Sequence, residues 1–100
     1  MFKFNAQLMF EAEIRPFQAF AERRGPFVDI YMRLEPEGQR WPDDLTEPGA
    51  LVICDETGNP IDYVVQSEGC DCEYRFTESE KEQLRRYIAE QRLIENAQIE

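Results

Sequence analysis

The chain has 100 residues and no histidine. Histidine is the commonest general base near neutral pH and the commonest metal ligand, so its absence removes the usual route to both chemistries. Hydroxyl nucleophiles are few, and none has a neighbouring base or a nucleophile-elbow pattern. Glycine-rich phosphate-binding motifs are also missing. The sequence therefore predicts a non-enzymatic protein without a cofactor, and a catalytic pair of carboxylates in a cleft is the alternative that stays open.

Long hydrophobic runs are absent as well. No apolar stretch approaches the roughly 20 residues that a membrane span needs. The first fifteen residues interleave polar and apolar side chains, which the core of a signal peptide does not do. We therefore expect a cytoplasmic protein that contacts no membrane.

Cysteine is scarce, and the count of three is odd. An odd number in a small chain argues against a disulfide framework, so we expect Cys54, Cys70 and Cys72 to be reduced and partly buried. A disulfide from Cys54 to either of the others is the alternative in an oxidising compartment. Cys70 and Cys72 are too close in sequence for a paired zinc motif, and on a strand both would face the core. We predict no metal site.

What the chain does contain is enough apolar material for one core. Hydrophobic residues make up 42% of the sequence and aromatic residues 12%, so the high charge does not indicate disorder. No internal repeat or linker divides the chain. The sequence predicts a single domain over residues 1–100.

The first third of the chain carries three patterned segments. Apolar residues occupy the even positions from Phe2 to Ile14, which predicts a half-buried strand, although the composition of this segment also favours a helix. Residues 16–24 begin with a proline, place apolar side chains at helical spacing and end at Gly25, which predicts a short helix. Residues 27–34 alternate again and predict a second strand.

The middle of the chain begins with a loop. Three prolines and two glycines in residues 35–49 exclude a continuous helix or a central strand. Residues 50–54 and 61–66 are β-rich runs around a turn sequence, and they predict a hairpin. A second turn at Glu68 and Gly69 leads into a last predicted strand over residues 70–76.

The best helix signal begins at Thr77. Thr77 and Glu80 have the spacing of a capping box directly ahead of an apolar-periodic run. We predict an amphipathic helix over about residues 77–95, packed on one face of the sheet by a stripe of side chains: Leu84, Tyr87, Ile88, Gln91 and Ile94. The predicted fold is α+β, with an antiparallel or mixed sheet of about 4–5 strands.

Positive charge is nearly absent from residues 35–73. The net charge of −10 falls entirely within this segment, because the two flanks nearly cancel and Arg40 is its only base. Its eleven acids are Glu35, Glu37, Asp43, Asp44, Glu47, Asp55, Glu56, Asp62, Glu68, Asp71 and Glu73. Such a segment attracts cationic partners and repels nucleic acid.

We therefore expect an interaction protein that uses residues 35–73 to bind a basic protein surface, such as that of a nucleic-acid-binding protein. In size and charge it resembles the small inhibitors and nucleic-acid mimics of phages and mobile elements, which act against host defences. The predicted partner-binding residues are Glu35, Glu37, Asp43, Asp44, Glu47, Asp55, Glu56, Glu68, Asp71 and Glu73.

A second interpretation stays open. In it the charge serves solubility only, and the protein is a homo-oligomeric structural or adaptor domain that binds through an apolar face. Tyr87, Leu93 or Trp41 would form that face if exposed.

Overall fold

The computed structural model describes residues 2–3, 15–35, 47–93 and 98–99, with side chains for residues 15–35 and 47–93. The elements in chain order are β1 (Phe2–Lys3), β2 (Arg15–Arg24), β3 (Phe27–Glu35), β4 (Pro48–Cys54), β5 (Pro60–Ser67), β6 (Cys70–Asp71), β7 (Tyr74–Arg75), α1 (Glu78–Glu90) and β8 (Gln98–Ile99). They form the α+β fold that the sequence predicts.

The main sheet is an antiparallel meander. Its strand order is β6–β5–β4–β3–β2–β8, and β2 to β6 pair antiparallel with their neighbours in the chain. β8 adds to β2 in the parallel direction, while β1 pairs with β7 in a separate two-stranded sheet. The five antiparallel strands, β2 to β6, agree with the predicted number of about 4–5, and β8 makes the sheet six-stranded.

The core is built on one face of this sheet. Val28, Ile30 and Met32 of β3 are buried and lie opposite Cys54, Val52 and Ala50 of β4. Because successive side chains of a strand point to opposite faces, this alternation places one apolar row against the next. The buried cluster joins these strand residues to Phe76 and to two residues of α1, namely Leu84 and Ile88.

The short helix predicted over residues 16–24 is wrong, because this segment forms strand β2. Phe17, Phe20 and Ala21 imitate helical spacing because a β-bulge lies among them. The register with β3 shifts between Phe17 and Phe20, and Gln18 within the bulge has a φ of 50°. An extra residue of this kind breaks the period of two that identifies a strand in a sequence.

Gly25 does not end a helix but forms the turn of the β2–β3 hairpin. The register pairs Arg24 with Phe27, which leaves a two-residue connection of Gly25 and Pro26. Gly25 has a φ of 60°, as the first central residue of a type II′ turn requires. The backbone twist of such a turn matches that of the two strands it joins.

The other hairpins agree with the sequence. The strands predicted over residues 27–34, 50–54 and 61–66 are confirmed as β3, β4 and β5. Glu68 and Gly69 form the two-residue turn between β5 and β6, with φ angles of 53° and 80°. Positive φ at both central positions is the pattern of a type I′ turn.

The strand predicted over residues 70–76 is only partly present. β6 ends at Asp71, and β7 belongs to the second sheet, so one continuous strand is wrong. The chain leaves the main sheet after the amide of Cys72 bonds to the carbonyl of Val65, 3.1 Å away. Cys70, which pairs with Ser67, is exposed, and this contradicts its predicted place in the core.

The capping box of α1 is confirmed. The Thr77 hydroxyl accepts from the amide of Glu80 at 3.3 Å, and a Glu80 carboxylate oxygen accepts from the amide of Thr77 at 2.8 Å. The helix ends at Glu90 instead of near residue 95, and Arg92 follows with a φ of 51°. A residue in this left-handed region cannot continue a right-handed helix.

Several predictions fall outside the described residues. They concern the strand beyond Lys3, the loop over residues 36–46 with Trp41, and the place of Ile94 in the stripe of the helix. Within the described part of the stripe, Leu84 and Ile88 are buried, Tyr87 is half-buried and Gln91 is exposed.

Candidate protein-interaction surface

Five of the described carboxylates predicted to bind a partner lie at two opposite ends of the sheet. Glu35 ends β3, Glu47 precedes β4 and Glu68 follows β5, so these three belong to one end. Asp55 and Glu56 lie in the β4–β5 loop at the other end. The seven residues of β4 separate the two ends by about 20 Å. The described residues among those predicted to bind a partner therefore do not form one continuous face.

We call the first group the acidic end, defined by the exposed residues Glu35, Glu47, Glu68 and Asp71. Asp71 belongs to it because it lies opposite Gln66 near the end of β5. Glu73 is exposed in the bend after β6, outside the strand pairing. Glu37, Asp43 and Asp44 lie outside the described residues.

A backbone hydrogen bond joins the start of β4 to the end of β5 within the acidic end. The amide of Glu68 donates to the carbonyl of Glu47, 3.4 Å away, next to the pair of Pro48 and Ser67. Glu47 and Glu68 both have positive φ angles, 46° and 53°. These two exposed carboxylates are thus carried by adjacent, bonded backbone segments and not by a long free loop.

Two bases partly compensate this charge. Arg33 forms an ion pair with Glu47, with 3.3 Å between Nη2 and Oε1, and its guanidinium lies 5.5 Å from the ring centre of Phe17. Arg15 is the second base near this end, because it lies opposite Glu35 in the strand register of β2 and β3. Glu68 forms no ion pair within the described residues, so an anionic patch persists beside the Arg33 pair.

A recess of about 290 Å³ opens beside the acidic end. It is lined by the stacked pair of Phe20 and Tyr31, whose ring centres are 5.1 Å apart, and by Glu47 and Glu68. Gly49 lines it too, and a Cβ there would lie 2.9 Å from the carbonyl oxygen of Met32. Aromatic rings beside carboxylates suit an arginine or lysine side chain, and Arg33, which pairs with Glu47, already lines this recess.

At the opposite end of the sheet, the carboxylate of Asp55 has a structural role. One oxygen of Asp55, Oδ1, accepts from the Thr57 hydroxyl at 2.6 Å and from the amides of Thr57 and Asn59 at 2.9 and 3.0 Å. The hydroxyl of Thr57, followed by the amide of Asn59, lowers the pKa of Asp55 below its ordinary value. Asp55 therefore shapes the β4–β5 loop, and Glu56 beside it is exposed.

The three cysteines are free and occupy different environments. Burial, and then the nearby charges of Asp55 and Asp29, raise the pKa of Cys54 to about 11. Cys72 is half-buried, and its thiol donates to the carbonyl of Val65 at 3.4 Å. In residues 15–35 and 47–93, no group of three or more acids and cysteines could hold a metal ion.

A second recess, of about 450 Å³, lies along the outer edge of β5. It gathers Asp62, Asp71 and Cys72 with two bases, Lys81 and Arg75. The acids and the thiol already have partners: Asp62 accepts from the amide of Tyr63, and Asp71 from the side chain of Gln66. We call this cavity the edge recess.

The apolar surface differs from the one that the sequence suggests. Tyr87 and Leu93 are half-buried and pack against the core. Phe20 and Ile61 are instead the exposed large apolar residues of the described segments, with exposures of 53% and 55%. Both lie at irregularities in strand register, where alternation in the sequence does not reveal which way a side chain points.

Comparisons with protein-family models, with curated proteins and with solved structures find no match for this chain. Among the described residues, no helix combines the length and the apolar character needed to cross a membrane.

Proposed function

We propose that this protein is a non-enzymatic interaction protein that binds a basic protein surface through the acidic end. The observation that carries the proposal is the meeting of Glu47 and Glu68 on hydrogen-bonded backbone at one end of a rigid sheet. Because the backbone that carries these carboxylates is already paired, binding a cationic surface costs the ordering of the two side chains but not of a loop.

The proposal includes the acids of the segment that leaves this end at Glu35 and returns to it at Glu47. Glu37, Asp43 and Asp44 belong to that segment of the sequence, and the proposal includes their charges. An array of carboxylates with this charge would compete with a phosphate backbone for a nucleic-acid-binding protein. The protein would then act as an inhibitor of the nucleic-acid-mimic kind.

Two further parts of the proposal concern its setting. The free cysteines support a reducing compartment such as the cytoplasm. The place of Leu84 and Ile88 in the buried cluster supports α1 as the cover of one sheet face, which leaves the ends of the sheet for partners.

The test uses purified DNA-binding domains with basic surfaces, with and without duplex DNA. We expect the protein to bind such a domain, to compete with the duplex, and to lose most of its affinity between about 50 and 500 mM salt. Glu47→Lys combined with Glu68→Lys should weaken binding at least about tenfold. Glu78→Lys with Glu90→Lys changes the net charge equally on exposed residues of α1 and should bind nearly normally. Equal loss in both double variants, or affinity independent of salt, would contradict the acidic end as the binding surface.

One observation favours the second interpretation, a homo-oligomer formed through an apolar face. Phe20 is half-exposed and stacked on Tyr31 at the face of the sheet opposite the core. Self-association through it would persist at high salt and would be lost in Phe20→Ser. Sedimentation velocity at low and high salt separates this function from the first.

A further inference from the structure

The outer edge of β5 is paired along only part of its length. β6 pairs with Gln66 and Ser67, and the last bond on this side joins the amide of Cys72 to the carbonyl of Val65. Within the described residues, no strand pairs with this edge from Pro60 to Val64. Ile61 and Asp62 are exposed there. The sheet therefore stops in the middle of β5, and the edge recess begins where β6 leaves.

Backbone groups of this open stretch face outward. In a strand, the amide and carbonyl of alternate residues point to the same side, so Tyr63 faces outward as Val65 does. The Tyr63 amide donates to the Asp62 carboxylate at 2.9 Å. A side chain thus takes the place that a neighbouring strand would fill. Such an edge is a template for another strand.

The two sides of the edge recess differ in character. Asp62 and Asp71 lie on the face opposite the core, since Asp71 is the cross-strand neighbour of Gln66. Tyr63, Cys72 and Phe76 lie on the side of the core cluster. Because side chains of an added strand alternate between these sides, the edge favours alternating basic and apolar residues.

We propose that the open edge of β5 binds an extended segment of a basic partner protein as an additional strand. Lysine or arginine side chains of that segment lie toward Asp62 and Asp71, and its apolar side chains lie toward Tyr63 and Phe76. This inference rests on the proposed function because it assumes a basic partner. It assigns a different surface, the edge of β5, and a different contact, the backbone hydrogen bonds between paired strands.

The charges around the edge recess determine which kind of strand can bind there. Lys81 lies 5.7 Å from the ring centre of Tyr63, and exposed Arg75 also lines the recess, so basic side chains are disfavoured on that side. A second copy of the chain would oppose its own Asp62 and Asp71 with like charges, at a net charge of −10 for each copy. A basic segment of another protein avoids both the repulsion by Lys81 and Arg75 and the repulsion between like acids when its basic residues face Asp62.

The probe is a blocked eight-residue peptide of alternating lysine and valine. In the proposed antiparallel arrangement a valine lies opposite Tyr63. Residues opposite each other at such a position exchange both backbone hydrogen bonds, so the valine amides face β5. N-methylation of the valine amides should weaken binding at least about tenfold, because two or more bonds are lost. N-methylation of the lysine amides should leave the affinity within about twofold, since these amides point away from the edge. Calorimetry measures both, and the amide exchange of Tyr63 should slow when the unmodified peptide binds.

Protein variants separate this inference from the proposed function. Asp62→Lys should weaken the binding of the unmodified peptide. Glu47→Lys with Glu68→Lys should leave the effect of valine N-methylation on binding unchanged. If the two methylated peptides bind alike, or if the unmodified peptide does not bind, edge pairing is overturned. The proposed function is decided independently, by the DNA-binding domains and the acidic-end variants.

Discussion

The guanidinium of Arg24 holds the carboxylate of Asp29 across the β2–β3 hairpin by two hydrogen bonds. Nε donates to Oδ2 at 2.7 Å and Nη2 donates to Oδ1 at 3.2 Å. The Asp29 side chain is 9% exposed, while that of Arg24 is 52% exposed and lies 5.0 Å from the ring centre of Phe27. Arg24 thus compensates the nearly buried charge of Asp29. The two residues lie beside the turn of Gly25 and Pro26, where the sequence predicts the end of a helix.

Removing the arginine should destabilise the hairpin. Arg24→Ala leaves the Asp29 carboxylate with little solvent and without its charged donor, so we expect the free energy of unfolding to fall by about 1–3 kcal/mol after allowance for the exposure of Arg24. Urea denaturation measures the change. Arg23→Ala, on the same strand, is the control and should cost less. The interpretation fails if Arg24→Ala and Arg23→Ala unfold at the same urea concentration.

Local signals account for the parts of the fold that the sequence predicts well. Val28, Ile30 and Met32 alternate without interruption, and the capping box needs only Thr77 and Glu80. Each of these patterns is complete within a few residues. The bulge at Gln18 is different, because its register is decided by pairing with β3. A pattern confined to one segment cannot show that dependence.

The candidate site shows the same division. The sequence locates the acidic segment, but its two groups of carboxylates separate only when the strands between them are placed. Glu47 and Asp55 lie at opposite ends of β4, a separation that follows from the hairpin order. The recess wall of Phe20 and Tyr31 and the open edge beside Asp62 depend on register and on where β6 ends. Neither has a signal in a single segment.

Gly49 should resist substitution even by alanine. A Cβ at this position would lie 2.9 Å from the carbonyl oxygen of Met32, so β3 and β4 must move apart. We expect Gly49→Ala to lower the free energy of unfolding by about 1–3 kcal/mol. Gly69→Asn is the control, because no atom lies within 4 Å of its Cβ position and asparagine tolerates a φ of 80°. A Gly49→Ala protein as stable as Gly69→Asn would contradict the close approach.

The thiols should differ in reactivity. Cys70 is exposed, whereas Cys54 is fully buried and has a pKa raised from 9.0 to about 11. At pH 8 this shift lowers the thiolate fraction of Cys54 about 100-fold, and burial also blocks the reagent. We expect a maleimide to label Cys70 first and Cys54 only after unfolding in urea, as measured by mass spectrometry of peptides. Labelling of Cys54 at the rate of Cys70 in the folded protein would contradict its placement in the core.

The hydroxyl of Thr57 should control the ionisation of Asp55. It is the largest cause of the lowered pKa of Asp55, so Thr57→Val should raise that pKa toward 3.8, while Thr57→Ser keeps the hydroxyl and serves as the control. Because the folded-state pKa lies below the unfolded value, the stabilisation is fully present above 3.8 and is lost as the pH falls through the folded-state pKa. Carbonyl NMR titration of Asp55 measures the pKa, and urea denaturation between about pH 5 and 2 measures the linked stability. Thr57→Val should show a smaller acid-linked loss than the parent protein, and an unchanged Asp55 titration in that variant would contradict the role of the hydroxyl.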